Sequence, residues 1–321
     1  MFNRAMEVST VKRMRSVPVV FLSFDEPNAD VHWEMLKQVV GGKQQIARVH
    51  GVVGFDAAHK AAAAEFPNSQ YIITVDADNQ VDPTFFNKIL PDGMDGKVSF
   101  TWGGRQYTNG LMYGNGGLKM WSTEHLANMR SHELATEERD AVDFCWDFNR
   151  YKELPGCFST VYTNASPYQA FRVGFREGVK LSMEQGQVLK ANEWATTMHA
   201  ANFQRLLTWM TVGADVEHGL WSVYGARLAV KLLQSDEFDF TNIRDYAWFK
   251  QFFNDHAISN PAQQNKVLGK ELSDILGWQL PDFDAHQSKI IKMLQLHPER
   301  SLTYEDVKWR TNLNMYGWFN G

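Results

Sequence analysis

Apolar residues come in short runs along the first eighty positions, and each run stops at a polar cluster. Pro18 to Phe24 (PVVFLSF) is apolar, β-branched and aromatic, and ends in the turn signal Asp25-Glu26-Pro27-Asn28. This is the pattern of a buried strand and its exit loop. From Asp30 to Val40 the period changes to that of a helix, with Val31, Met35, Leu36 and Val39 placed on one face, and Gly41-Gly42 stops it. Ile46 to Val49 reads as a second strand that ends at His50-Gly51. Ala57 to Phe66 is alanine-rich, and Asp56 is expected to cap it as a helix before Pro67-Asn68 ends it. Tyr71 to Val75 (YIITV) is a strongly β-prone strand that runs straight into Asp76-Ala77-Asp78-Asn79.

Strand, helix, strand, helix, strand predicts an α/β protein with a parallel, Rossmann-like sheet and helices on both faces. Ligands of such sheets bind outside the carboxyl ends of the strands. Three polar clusters fall there: Asp25 with Glu26, His50, and Asp76 with Asp78.

Further on, a strand is expected from Lys97 to Trp102, followed by a glycine- and asparagine-rich loop, Gly103 to Gly117. Its tail, Tyr113-Gly114-Asn115-Gly116-Gly117, permits close backbone approach to a ligand. Glu133 to Tyr151 is acidic and mixes loop with helix. Helices are expected over Tyr168 to Met183 (Phe171, Phe175, Val179 and Met183 in phase), Ala191 to Val212, and Leu220 to Leu233 (Tyr224, Leu228 and Leu232 on one face). Beyond Ser235 the chain becomes aromatic-rich and helix-prone, broken by Pro261 and Pro281. This divides it into a nucleotide-binding catalytic domain, 1–235, and a helical C-terminal extension, 236–321.

Composition changes this picture little. Hydrophobic residues make up 44% and charged residues 21% of the 321, ordinary values for a globular protein with a sizeable core. The net charge of −5 argues against a protein that grips nucleic acid mainly through phosphates. The two cysteines, Cys145 and Cys157, suit neither a disulfide framework nor a usual zinc site. No membrane span and no leader are expected, which points to the cytoplasm.

Two carboxylates one residue apart, just past a buried strand, can turn toward one point. Such oxygen ligands suit a hard cation, Mn²⁺ or Mg²⁺, whose other positions go to substrate phosphate. The spacing lacks the glycine and glutamate of a calcium EF-hand loop.

Gly54-Phe55-Asp56-Ala57-Ala58-His59-Lys60-Ala61, followed by Tyr71 to Asn79, resembles the N-terminal half of family 2-like glycosyltransferases, which have the GT-A fold and a DxD motif. Phe21 to Asp30 and Tyr113 to Trp121 resemble a phage-associated branch of that group, so the likeness spans about residues 17 to 235. It implies transfer of a sugar from a nucleotide donor, UDP-linked, with a divalent metal. Asp76 and Asp78 then hold metal and donor, Asp25 and His50 meet the nucleobase or ribose, Lys60 faces the diphosphate, and Asn115, Gly116 and Gly117 line the site. His218, or else His199, is the expected third metal ligand. The general base is sought among Asp140, Asp143 and Asp147. Asp143 is preferred because Val142 and Phe144 flank it and burial raises a carboxyl pKa. Arg172 and Arg176 share a helix face, where they meet phosphate or simply pair with Glu177 and its neighbours.

The phage likeness implies one acceptor in particular, a 5-hydroxymethylated base in DNA, with Trp102, Arg105, Tyr107, Trp121 and Trp146 as stacking candidates. A saccharide or lipid-linked acceptor, a nucleotidyltransferase and a non-catalytic nucleotide-binding module are the alternatives. The acidic loop Asp25-Glu26-Pro27-Asn28 speaks against the nucleotidyltransferase, since it would repel a triphosphate.

Overall fold

The computed structural model describes residues 12–42, 44–113, 116–130, 150–184, 186–256 and 258–295. Its first half alternates β1 (Val19–Ser23), α1 (Ala29–Val40), β2 (Ile46–His50), α2 (Phe55–Glu65) and β3 (Tyr71–Asp76). β1 pairs in parallel with both β2 and β3. The chain then adds β4 (Asn79–Val81), β5 (Ser99–Gln106), β6 (Met112–Tyr113), β7 (Leu118–Ser122), the short α3 (Thr123–Ala127) and β8 (Tyr151–Val161). The strand order is β2-β1-β3-β7-β5-β8-β4, with β6 hydrogen-bonded to β5. β7 lies antiparallel between β3 and β5, so the parallel, Rossmann-like half continues into a mixed sheet. This is the expected fold class, α/β with a Rossmann-like sheet, helices on both faces and helices in the C-terminal part.

Strand alternation assigns the two faces. Val19 and Phe21 of β1, Ile73 and Val75 of β3, and Leu118 and Met120 of β7 pack with Ala29, Leu36 and Val40 of α1. Val20, Leu22, Ile72 and Trp121 point the other way, against Ala62 and Ala63 of α2 and Leu126 of α3. Asp76, Thr74 and Lys119 belong by the same alternation to the α2 face. The buried side of α1 is Ala29, His32, Leu36 and Val40, while Val31 and Met35 are exposed, so the expected stripe is displaced around the helix. Asp56 is not the cap of α2. Gly54 takes that position with φ 98°, where a side chain is strained, and Asp56 is buried in the first turn.

The glycine-rich stretch expected to be a loop is partly strand, at 103–106 and Met112–Tyr113. β5 runs on through Gly103 and Gly104, and a Cβ at Gly104 would sit 2.8 Å from Val161 Cγ2 and 3.0 Å from Gly116 Cα. β8 escapes a reading by pattern because Pro155 and Gly156 (φ 108°) interrupt it, and the β5–β8 register shifts there.

The helical part contains α4 (Pro167–Leu181), α5 (Trp194–Thr197), α6 (Ala200–Thr211), α7 (Gly219–Leu232), α8 (Tyr246–Asp255), α9 (Pro261–Leu276) and α10 (Ala285–Leu294). The single helix expected over 191–212 is broken. Met198 is extended, and His199 caps α6 by accepting a hydrogen bond from the Ala201 N–H. Phe171, Phe175 and Val179 of α4 are buried in phase, as expected, together with Tyr224 and Leu228 of α7, Phe249 of α8 and Leu268 of α9. Helices on both sides of residue 235 thus share one core. Buried Arg227 of α7 ties them further. It donates to Met210 O at 2.7 Å and Pro281 O at 2.9 Å, pairs with Asp282 at 2.5 Å, and reaches Asn265 O. Among the described residues no helix is long and apolar enough to cross a membrane.

α4 and α7 touch backbone to backbone through Gly174, Gly178 and Gly225. A Cβ at Gly174 would lie 1.9 Å from Ser222 O. Gly174→Ala is therefore expected to force the helices apart and cost about 3 kcal/mol, the upper end of overpacking penalties. Urea unfolding of the variant beside its parent measures this.

Candidate functional site

Asp76 ends β3, and Asp78 sits in the turn to β4. The turn is held from several sides. His32 of α1 donates Nδ1–H to Ala77 O at 2.7 Å, between the two aspartates, and Gln80 donates to its Nε2 at 3.1 Å. Burial lowers the pKa of this imidazole, outweighing the Ala77 hydrogen bond. Tyr162 N–H donates to Asp78 O at 2.7 Å, and Asn79 Nδ2 to Asp78 Oδ1 at 2.6 Å.

The Asp76 carboxylate, 35% exposed, lies 3.7 Å from the ammonium of Lys119, which is 2% exposed. Lys119 reaches it because β7 runs antiparallel beside β3 with Lys119 opposite Thr74. Room for the carboxylate comes from Gly117. A Cβ there would fall 2.2 Å from Asn79 Nδ2 and 2.6 Å from Asp76 Cβ. Gly117 O also accepts the Asp76 N–H at 2.9 Å. A Cβ at Gly116 would lie 2.6 Å from Gly104 N. The two glycines were expected to let a ligand approach; their close approach is to the Asp76 turn and the β5 backbone. Asn115 lies outside the described residues.

His59 of α2 is buried on the same face. It stacks on Phe55 at 4.0 Å and donates Nδ1–H to Phe55 O at 2.9 Å. Burial pushes its pKa down to about 4, against the pull of Asp76. It stands beside Asp76 as a neutral imidazole.

Asp78 is the perturbed carboxyl. Desolvation first, then the charges of Asp76 and Glu26, push its pKa up from 3.8 to about 7, against a hydrogen bond from Asn79 and the charge of Arg172. Glu26, from the loop after β1, accepts the Phe24 N–H at 2.7 Å. Arg172 of α4 lies within electrostatic reach of Asp25 and Glu26, with its guanidinium 4.4 Å from the Tyr246 ring. Burial alone would lower its pKa, but Tyr246, Tyr168, Asp25 and Glu26 together raise it. Asp25 itself is exposed at the rim. His50 is exposed at the end of β2, where its Nδ1 meets Ser23 Oγ at 3.0 Å. Arg48 donates to the same Ser23 hydroxyl at 2.9 Å and pairs with Asp30 at 2.7 Å.

Asp25, Glu26, Asp76 and Asp78 thus form an acidic crevice with two fixed cations, Lys119 and Arg172. The four carboxylates, when ionised, exceed those cations by two charges. The donor set is oxygen, the kind that suits a hard divalent cation. Among the described residues no three or more His, Cys, Asp or Glu side chains gather as a ligand set. The remaining coordination positions would go to phosphate and water, as Mg²⁺ commonly arranges.

Two of the expected residues, His218 and Lys60, are not brought to this crevice. His218 does not join Asp76 and Asp78. It begins α7 in the left-handed conformation (φ 56°) and lies 3.6 Å from Glu217. Lys60 is exposed in mid-helix and lines a cleft of about 700 Å³ with Gln70, Lys97 and Thr123. That cleft lies at the opposite end of the strands from the carboxylates. Asp143, with Asp140 and Asp147, falls outside the described residues. Trp102 and Trp121 are core residues, 4% and 0% exposed, and offer no stacking surface; Trp146 is outside the described residues. Glu177 pairs with Lys180 and Tyr113, leaving Arg172 to the crevice.

Sequence reasoning missed Lys119 and His32 as members of the site, while Glu26 falls in the expected polar cluster with Asp25. Lys119 carries the clearest signal, a lone charge at an inward position between Leu118 and Met120-Trp121.

No protein-family model and no curated protein matches this chain. Among solved structures it is similar to the crystal structure of a glycosyltransferase involved in the glycosylation of the major capsid of PBCV-1. The identity is 14%, over 46% of this chain and 94% of that one, with a TM-score of 0.30. A likeness this loose assigns no activity.

Two outcomes follow from the geometry. Because folding raises the Asp78 pKa from 3.8 to about 7, its contribution to stability is greatest below the unfolded value and is lost as pH rises through 7. Asp78→Asn should therefore be more stable than the parent at pH 8, by about 1–2 kcal/mol after allowing for solvent screening. The gain should shrink toward pH 4, and melting curves across that range test it. Gly117→Ala should push the Asp76 turn aside and cost about 1–3 kcal/mol in urea unfolding.

Proposed function

We propose that this protein is a metal-dependent glycosyltransferase that moves a sugar from a nucleotide donor, UDP-linked, to an acceptor hydroxyl. The observation that carries the reading is the pair Asp76 and Asp78 at the carboxyl end of β3, with Glu26 within electrostatic reach of Asp78. The place is where α/β sheets of this kind bind ligands.

In this reading Asp76 and Asp78 are the protein ligands of Mn²⁺ or Mg²⁺. When bound, the cation offsets charge that builds on the leaving diphosphate. Lys119, 3.7 Å away, fixes the direction of the Asp76 carboxylate. His32 and Asn79 hold the turn so that both carboxylates face the same space. Arg172 supplies a second positive group for the phosphates. His50 and Asp25, exposed at the ends of β2 and β1, are placed for the nucleoside. A carboxylate removes the acceptor proton, and Asp143 is the candidate for it.

The acceptor is defined here by its chemistry, a hydroxyl. Hydroxymethylated DNA remains one arm of the assay beside plain DNA and saccharides.

Thermal shift with UDP-sugars is the direct test. A rise in melting temperature with Mn²⁺ present, and little without it, is the expected result, since a ligand selective for the native state stabilises it. Asp76→Asn should abolish both that rise and sugar transfer or hydrolysis, a fall of at least about 100-fold for a group stabilising charge in the transition state. Unchanged turnover in that variant would overturn the role of Asp76, and donor binding by the parent without transfer or hydrolysis would mark the chain as a binding module.

A further inference from the structure

The C-terminal extension has no role in the reading above, yet one of its residues reaches the acidic crevice. Tyr246 is the first residue of α8, and its ring faces the Arg172 guanidinium at 4.4 Å. Tyr168, one turn before Arg172 on α4, contributes a second ring at 5.9 Å. A planar cation between aromatic faces keeps its charge but loses freedom of direction.

The position of Tyr246 is itself fixed. Asp245 caps α8, accepting from the Ala247 and Trp248 N–H groups at 2.8 and 3.1 Å. Phe249 and Phe252 anchor the helix against Phe175 of α4, with ring centroids 5.7 and 5.1 Å away. Tyr246 stays 50% exposed while those neighbours form the core. Its ring is therefore poorly explained by packing and well explained by the cation beside it.

We propose that Tyr246 is a positioning residue that holds the Arg172 guanidinium over the acidic crevice, so that the C-terminal extension completes the binding site for a nucleoside diphosphate. The proposal rests on the donor reading above. Arg172 would meet the phosphates of the ligand, and Tyr246 would act only through Arg172.

The test is calorimetric titration of the full chain with UDP and GDP, each with Mn²⁺, and with uridine as a probe that lacks phosphate. Tyr246→Ala should weaken diphosphate binding about 3–10-fold, the range of a partly desolvated cation–π contact. Tyr246→Phe, which keeps the ring face, should restore it. Uridine binding should not change. In an Arg172→Met background Tyr246→Ala should have no further effect, since the tyrosine has nothing left to hold. The melting temperature of unliganded Tyr246→Ala should stay close to that of the parent. If the parent binds UDP or GDP and Tyr246→Ala binds it equally well, or if the loss persists without Arg172, the positioning role is wrong and the donor reading stands. If the parent binds neither diphosphate, both are wrong.

Discussion

A carboxylate at the end of a central strand needs a counter-charge and needs room, and at Asp76 both come from one stretch of chain. β7 lies antiparallel to β3 and carries Lys119, and Gly117 immediately precedes it, two residues away. The lysine is buried among apolar neighbours, where an unpaired ammonium would be costly. The glycine leaves the volume that the Asp76 and Asn79 side chains occupy. Were β7 placed elsewhere in the sheet, Asp76 would keep its position in the sequence and lose its setting. The strand order is thus the condition on which the acidic crevice rests.

The crevice also shows why two aspartates so close together behave differently. Asp76 has a cation at hand, whereas Asp78 faces Asp76 and Glu26 and is held mainly by backbone and an amide. Burial first, and then the charges of Asp76 and Glu26, raise its pKa. His32 and Asn79 fix the turn despite that repulsion. Native proteins tolerate such local conflict where the surrounding structure over-determines it.

The first half of the fold was legible because each element announces itself locally. Val19 to Ser23 and Tyr71 to Asp76 are runs of β-prone residues with polar ends, and the alanines of α2 leave little choice. The polar ends of β1 and β3 then follow from topology alone, which is how Asp25, Asp76 and Asp78 could be found. What stayed hidden depends on partners distant in the chain. β8 is broken by Pro155-Gly156 and exists because β5 and β4 flank it. The glycines at 103 and 104 read as loop, yet they are strand, since they let Gly116 and Val161 come close. Lys60 and His218 were placed by analogy with a motif, and the packing of α2 and the left-handed start of α7 send them elsewhere. Arg172 was legible as a phosphate candidate but not as a crevice residue, because its acidic neighbours lie nearly 150 positions earlier.

Arg227 has a consequence for the history of the chain. Its guanidinium finds acceptors on α6, on α9 and on the Pro281-Asp282 segment, so a fragment ending near Ser235 would leave an arginine in the interior with only its Met210 acceptor in place. Recombination that exchanged the last quarter of this protein for a foreign one would have to bring matching sockets with it. The two stretches are expected to be inherited as a unit, whatever composition suggests about a seam between them.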